Sequence, residues 1–73
     1  MNSRYCMLIE WSEEDQVFVV TLPEFPNNRT HGSTYEEAAK NGQEVLDLLI
    51  ETFSEDGRSL PTPRYFASDV VVA

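Results

Sequence analysis

The sequence predicts an α+β fold with strand order β-β-β-α-β, a mainly antiparallel sheet of three to four strands carrying one long helix on one face. Three observations predict it. Two stretches near the start alternate with period two; a segment from Thr34 to Phe53 repeats its apolar residues every three or four positions; and the last ten residues are rich in strand formers. At 73 residues the chain is expected to form one domain spanning 1–73, without a separate DNA-binding domain. A domain of this size buries about 60% of the surface its unfolded chain exposes, so assembly with another chain is a plausible source of further burial.

The first strand covers Arg4 to Trp11, with Tyr5, Met7, Ile9 and Trp11 on one side and Arg4, Cys6, Leu8 and Glu10 on the other. Ser12-Glu13-Glu14-Asp15 reads as a polar hairpin loop, and Gln16 to Leu22 as the returning strand. That loop pairs Trp11 with Gln16, Ile9 with Phe18, Met7 with Val20 and Tyr5 with Leu22, collecting the large apolar groups on one face. Trp11 and Tyr5 are therefore expected in the core. The opposite face carries Cys6, Leu8, Val17, Val19 and Thr21.

Pro23-Glu24-Phe25-Pro26-Asn27-Asn28 ends the ladder, because proline lacks a ladder donor and asparagine favours turns. Arg29-Thr30-His31-Gly32 is a short third strand, with Gly32 turning the chain. Thr34-Tyr35-Glu36-Glu37 has the spacing of a capping box, in which the Thr34 hydroxyl accepts from the Glu37 amide and the Glu37 carboxylate returns the bond. The helix stripe is Tyr35, Ala38, Ala39, Gly42, Val45, Leu46, Leu49 and Phe53. Gly42 costs about 1 kcal/mol against alanine inside a helix, which close approach to the sheet explains. Ser54-Glu55-Asp56-Gly57 is the stop, with Gly57 taking the left-handed cap. Leu60-Pro61-Thr62-Pro63 is an extended connector. Arg64 to Ala73 reads as a final strand ending in Val70, Val71 and Val72, an edge that needs pairing.

One helix covers one sheet face. The other face, with Cys6, Leu8, Val17 and Val19, together with Val70, Val71 and Val72, is a candidate oligomer interface, either for a second copy or for the chain's own tail. Leu48 lies on the helix away from the main stripe and adds exposed apolar surface.

Thirteen acidic residues against five basic ones give a net charge of -8, which opposes direct binding to nucleic-acid phosphates and favours a basic protein partner. Glu10, Glu13, Glu14 and Asp15 are the candidate partner-binding residues. One cysteine and one histidine provide neither an internal disulfide nor a His/Cys zinc cage, so no metal and no cofactor is expected. No apolar run reaches the roughly 20 residues that span a bilayer, and a cytoplasmic location, without membrane contact, is expected. Cys6 and His31 lack the orienting group and oxyanion site of a nucleophile and base, so no catalytic residue is assigned and the chain is not expected to be an enzyme.

The order Leu22-Pro23-Glu24-Phe25-Pro26, then Thr30-His31-Gly32-Ser33-Thr34-Tyr35-Glu36-Glu37-Ala38, a helix, and Leu60-Pro61-Thr62-Pro63 resembles the HicB antitoxin family over nearly the whole chain. Asn27-Asn28 stand where that family usually has Gly-Cys, which bears on the turn, and Ser33 replaces its usual Asp. The resemblance implies a partial ribonuclease-H-like fold. It also implies an antitoxin of a type II toxin-antitoxin system, which binds and inhibits HicA, a small basic mRNA-cleaving toxin. The expectation of a homodimer or homotetramer rests instead on the uncovered apolar sheet face. Members that repress their own operon carry an added C-terminal DNA-binding segment, for which this sequence has no counterpart. An orphan HicB-like oligomerisation module without a toxin is the alternative, and a degenerate metal-dependent nuclease a more distant one.

Overall fold

A computed structural model describes residues 4–63. Its elements are β1 (Leu8–Ser12), β2 (Val17–Thr21), β3 (Arg29–Gly32) and α1 (Tyr35–Glu55). The strands form one antiparallel sheet in the order β1-β2-β3, and α1 packs across one face of it. This is the predicted α+β architecture, with the expected final strand and its Val70, Val71 and Val72 lying outside the described residues. Among those described, no helix is long and apolar enough to cross a membrane.

The hairpin register differs from the one the polar run suggests. Ile9 pairs with Val20, Trp11 with Phe18 and Ser12 with Val17, so the loop is 13–16 rather than 12–15. Gln16 leaves the ladder with φ 57 and donates its amide to the Ser12 carbonyl at 2.8 Å. Its side chain adds a bond from Nε2 to the Glu13 carbonyl at 2.6 Å, support that the pattern of apolar residues does not reveal. Each partner moves by two positions, an even step that leaves every side chain on its expected face.

The helix-facing side holds the core: Val20, Leu22, Phe25, Ala38 and Leu46 are buried, with Tyr5, Met7, Ile9, Phe18, Val45, Leu49 and Phe53 packed around them. Burying each large aliphatic group contributes about 1.5–3 kcal/mol relative to exposure. Gly42 confirms the close approach: a Cβ there would stand 2.5 Å from Met7 Sδ and 3.0 Å from Val20 Cγ1. Gly32 differs from the expectation of a turn. It ends β3, pairs with Phe18 and packs under the first turn of α1.

Trp11 corrects the expectation of a core tryptophan. It is 46% exposed, because it stands on the edge strand β1, with its ring edge-on to Phe18 at 5.0 Å. Tyr5 is half-buried, its ring against Phe25 at 5.0 Å and its hydroxyl donating to the Pro61 carbonyl at 2.7 Å.

Both helix ends are capped. The Glu37 amide donates to Thr34 Oγ1 at 3.0 Å, while the Glu37 carboxylate accepts from the Ser33 amide at 2.8 Å, one residue earlier than the simple box predicts. At the other end Gly57 has φ 68, its amide donates to Ser54, and Arg58 donates to Phe53 at 2.9 Å, the paired bonds of a Schellman motif. Arg58 then lays its guanidinium 3.9 Å from the centre of the Phe53 ring.

The 22–28 loop is bound from both directions. The Phe25 amide donates to Leu22 at 3.0 Å and the Asn28 amide to Phe25 at 3.2 Å, while Glu24 accepts the Cys6 amide on both carboxylate oxygens at 3.1 and 3.2 Å. Asn27 takes φ 76, a left-handed conformation that asparagine adopts more readily than most residues. Asn27 thus makes the positive-φ turn here without the glycine that the resemblance leads one to expect.

Candidate partner-binding surface

Two surfaces remain once the helix has covered its side of the sheet. The first is the acidic hairpin. Trp11 Nε1 donates to Glu13 Oε2 at 2.7 Å, and the Ser12 hydroxyl both accepts from the Asp15 amide and donates to the Asp15 carboxylate, each at 3.2 Å. These bonds fix a tip on which Glu13, Glu14 and Asp15 are all exposed. Glu10 is exposed too, but it projects from β1 beside Val19 on the outer sheet face. The structure thus groups Glu13, Glu14 and Asp15 and places Glu10 on the neighbouring surface.

The second is the outer sheet face. Pairing sets Ser12 beside Val17 and lays out two rows across the sheet, Glu10 to Val19 to His31 and Leu8 to Thr21 to Arg29, with the β2 residue in the middle of each. Leu8 is 49% exposed, while Val17 and Val19 are half-buried. Cys6 is half-buried ahead of β1, with its amide held by Glu24. Among the described residues no element packs over this face, and α1 lies on the other. Val70, Val71 and Val72, grouped with it from sequence, fall outside the described residues.

Arg29 and His31 also belong to this face, which the alternation of the first two strands alone does not reveal. The signal was present: Arg29, Thr30 and His31 alternate in a strand, which puts Arg29 and His31 on the same side as Val19 and Thr21 once β3 pairs with β2. They line a shallow depression with Asp15, Val17 and Val19. The resulting face has an apolar centre, a carboxylate on the β1 edge and a guanidinium on the β3 edge. The far edge of β3 is tied to the helix by Asn41 Nδ2, which donates to the His31 carbonyl at 2.7 Å.

Among the described residues no group of three or more His, Cys, Asp or Glu side chains is placed to hold a metal ion. What the two surfaces offer is association: exposed carboxylates for cations, and a half-apolar sheet face for another surface of the same kind.

Comparison with known proteins places these features. The chain is 34% identical over 70 residues to "Antitoxin HicB 1" of Photorhabdus laumondii, an alignment covering 96% of this chain and 44% of the relative. "Antitoxin HicB 2" of the same organism is 36% identical over 62 residues, covering 85% and 43% respectively. A UPF0150 protein of Thermotoga maritima is 33% identical over 52 residues, covering 71% of this chain and 69% of its own length. The chain thus spans less than half the length of the two Photorhabdus relatives. No solved structure matches it significantly. A family model described as the HicB-like antitoxin of bacterial toxin-antitoxin systems matches residues 5–70, and with that coverage the chain belongs to the HicB-like antitoxin family.

Proposed function

We propose that this chain acts in the cytoplasm as an antitoxin that binds and inhibits a small basic mRNA-cleaving toxin of the HicA type, meeting it through Glu13, Glu14 and Asp15, while Glu10, on the outer sheet face, serves self-association. Family membership supports the class of function. The observation that supports the surface is the acidic hairpin, where the Glu13 and Asp15 carboxylates are hydrogen-bonded yet exposed and Glu14 is exposed between them. Complementary charge speeds encounter with a basic protein and disfavours acidic competitors. Inhibition follows from covering the toxin's RNA-binding surface and needs no chemistry from this chain. The test is to mix the purified chain with the product of the neighbouring small basic reading frame. A stable complex and loss of RNA cleavage are expected; no complex and undiminished cleavage would leave the orphan-module alternative. Divalent-metal-dependent RNA cleavage by this chain alone would instead favour the nuclease.

The same reading includes self-association through the outer sheet face. A two-fold axis running roughly along β2 would bring Val19 onto its counterpart. It would set Glu10 of one copy over His31 and within reach of Arg29 of the other, since β1 then overlies β3. Such a pairing is isologous and uses the opposite charges at the two edges. Sedimentation at micromolar concentration should give a dimer or tetramer, and a monomer alone would refute this assembly.

A further inference from the structure

Three rings lie in series where the hairpin meets the start of α1. Phe18 packs edge-on against Trp11 with centroids 5.0 Å apart and stacks on Tyr35 at 4.2 Å with an interplanar angle of 32°. The outer two are open to solvent, Trp11 by 46% and Tyr35 by 63%. Each outer ring is packed on one side and open to solvent on the other. Phe18 fixes one face of Tyr35, and the indole N–H of Trp11 is bound to Glu13. Much of the rotamer freedom that binding would otherwise remove is already lost.

We propose that Trp11 and Tyr35 form a docking surface for an arginine side chain of the basic partner, an inference that rests on the toxin-binding reading for the partner's identity. The chemistry favours arginine. A guanidinium is planar and weakly hydrated, stacks on the faces of tryptophan and tyrosine, and uses its edge donors for carboxylates. Glu13 and Glu14 follow Trp11 in the hairpin loop, and Glu36 follows Tyr35 in the first helical turn. Glu13, with Oε2 2.7 Å from Trp11 Nε1, supplies an acceptor beside the indole, and Glu36 in the first turn offsets the positive end of the helix dipole, which alone would repel a cation. A purely apolar occupant fits poorly, because it would strip water from the acidic rim without replacing its hydrogen bonds.

Calorimetric titration with a hexa-arginine peptide, compared with hexa-lysine, tests the surface. Arginine binding should exceed lysine binding severalfold. Tyr35→Ala should weaken it about fivefold, the scale of an exposed cation–π contact, while Tyr35→Phe retains most of it. Because any peptide of this charge is attracted to an acidic protein, the decisive comparison is between equal charge losses. Glu13→Gln with Glu14→Gln should weaken binding markedly. Glu51→Gln with Glu55→Gln, about 24–30 Å away along the helix, should have under a twofold effect. Equal losses from the two pairs, an unaffected Tyr35→Ala variant, or no preference for arginine would overturn the proposal. The peptide test needs no toxin, so the two ideas fail separately. A toxin complex with a silent Tyr35 removes this surface and keeps the antitoxin; arginine docking without a toxin complex does the reverse.

Discussion

Gly32 meets Ala38 backbone to backbone: a Cβ on Gly32 would stand 2.7 Å from Ala38 Cα and 2.8 Å from the Glu37 carbonyl carbon. Main-chain atoms in a capped helical turn cannot step aside as a side chain can. Gly32→Ala is therefore expected to cost about 3 kcal/mol, measured by urea unfolding, since relief requires moving α1 off β3. A loss below 1 kcal/mol would show that the contact is softer.

Gly42 provides the contrast. Its nearest neighbour is the flexible end of Met7, so Gly42→Ala should change stability by less than about 1 kcal/mol, the gain in helix propensity offsetting the repacking. In a Met7→Ala background the same substitution should become stabilising. Additive effects in that double-mutant cycle would contradict the proposed coupling.

Helix termination depends on specific side chains. Thr34→Ala removes the hydroxyl that accepts the Glu37 amide, and Gly57→Ala forces a side chain into φ 68. Each should cost about 1 kcal/mol and lower Tm by about 4–8 °C.

Leu46 and Leu48 lie two positions apart and are 1% and 63% exposed. Leu46→Ala should lose about 3 kcal/mol through a cavity beside Val20 and Leu22, whereas Leu48→Ala should stay within about 0.5 kcal/mol. A large loss at Leu48 in a concentration-dependent melt would place it in an interface.

At the outer face, Val19→Lys should leave circular dichroism unchanged while shifting sedimentation toward the monomer, because two lysines would meet on the proposed axis. An unchanged oligomer would move the interface elsewhere.

Most of the fold is readable from the sequence because its signals are local. The Thr34 cap, the Gly57 stop and the Arg29–Gly32 strand are each specified within a few residues. The hairpin register is different. Two registers related by an even shift bury the same faces, so the apolar pattern cannot choose between them, and the conformation of Gln16 decides. The exposure of Trp11 was hidden for a related reason: alternation assigns a residue to a face but does not say whether the covering helix reaches that far. Arg29 and His31 needed the pairing of β3 with β2 before they could join the outer surface.

The bond from the Tyr5 hydroxyl to the Pro61 carbonyl joins residues 56 positions apart. It brings the segment ahead of β1 beside the connector that follows α1. A tie between positions so far apart couples the two flanks of the described segment, so that neither can loosen without releasing the other.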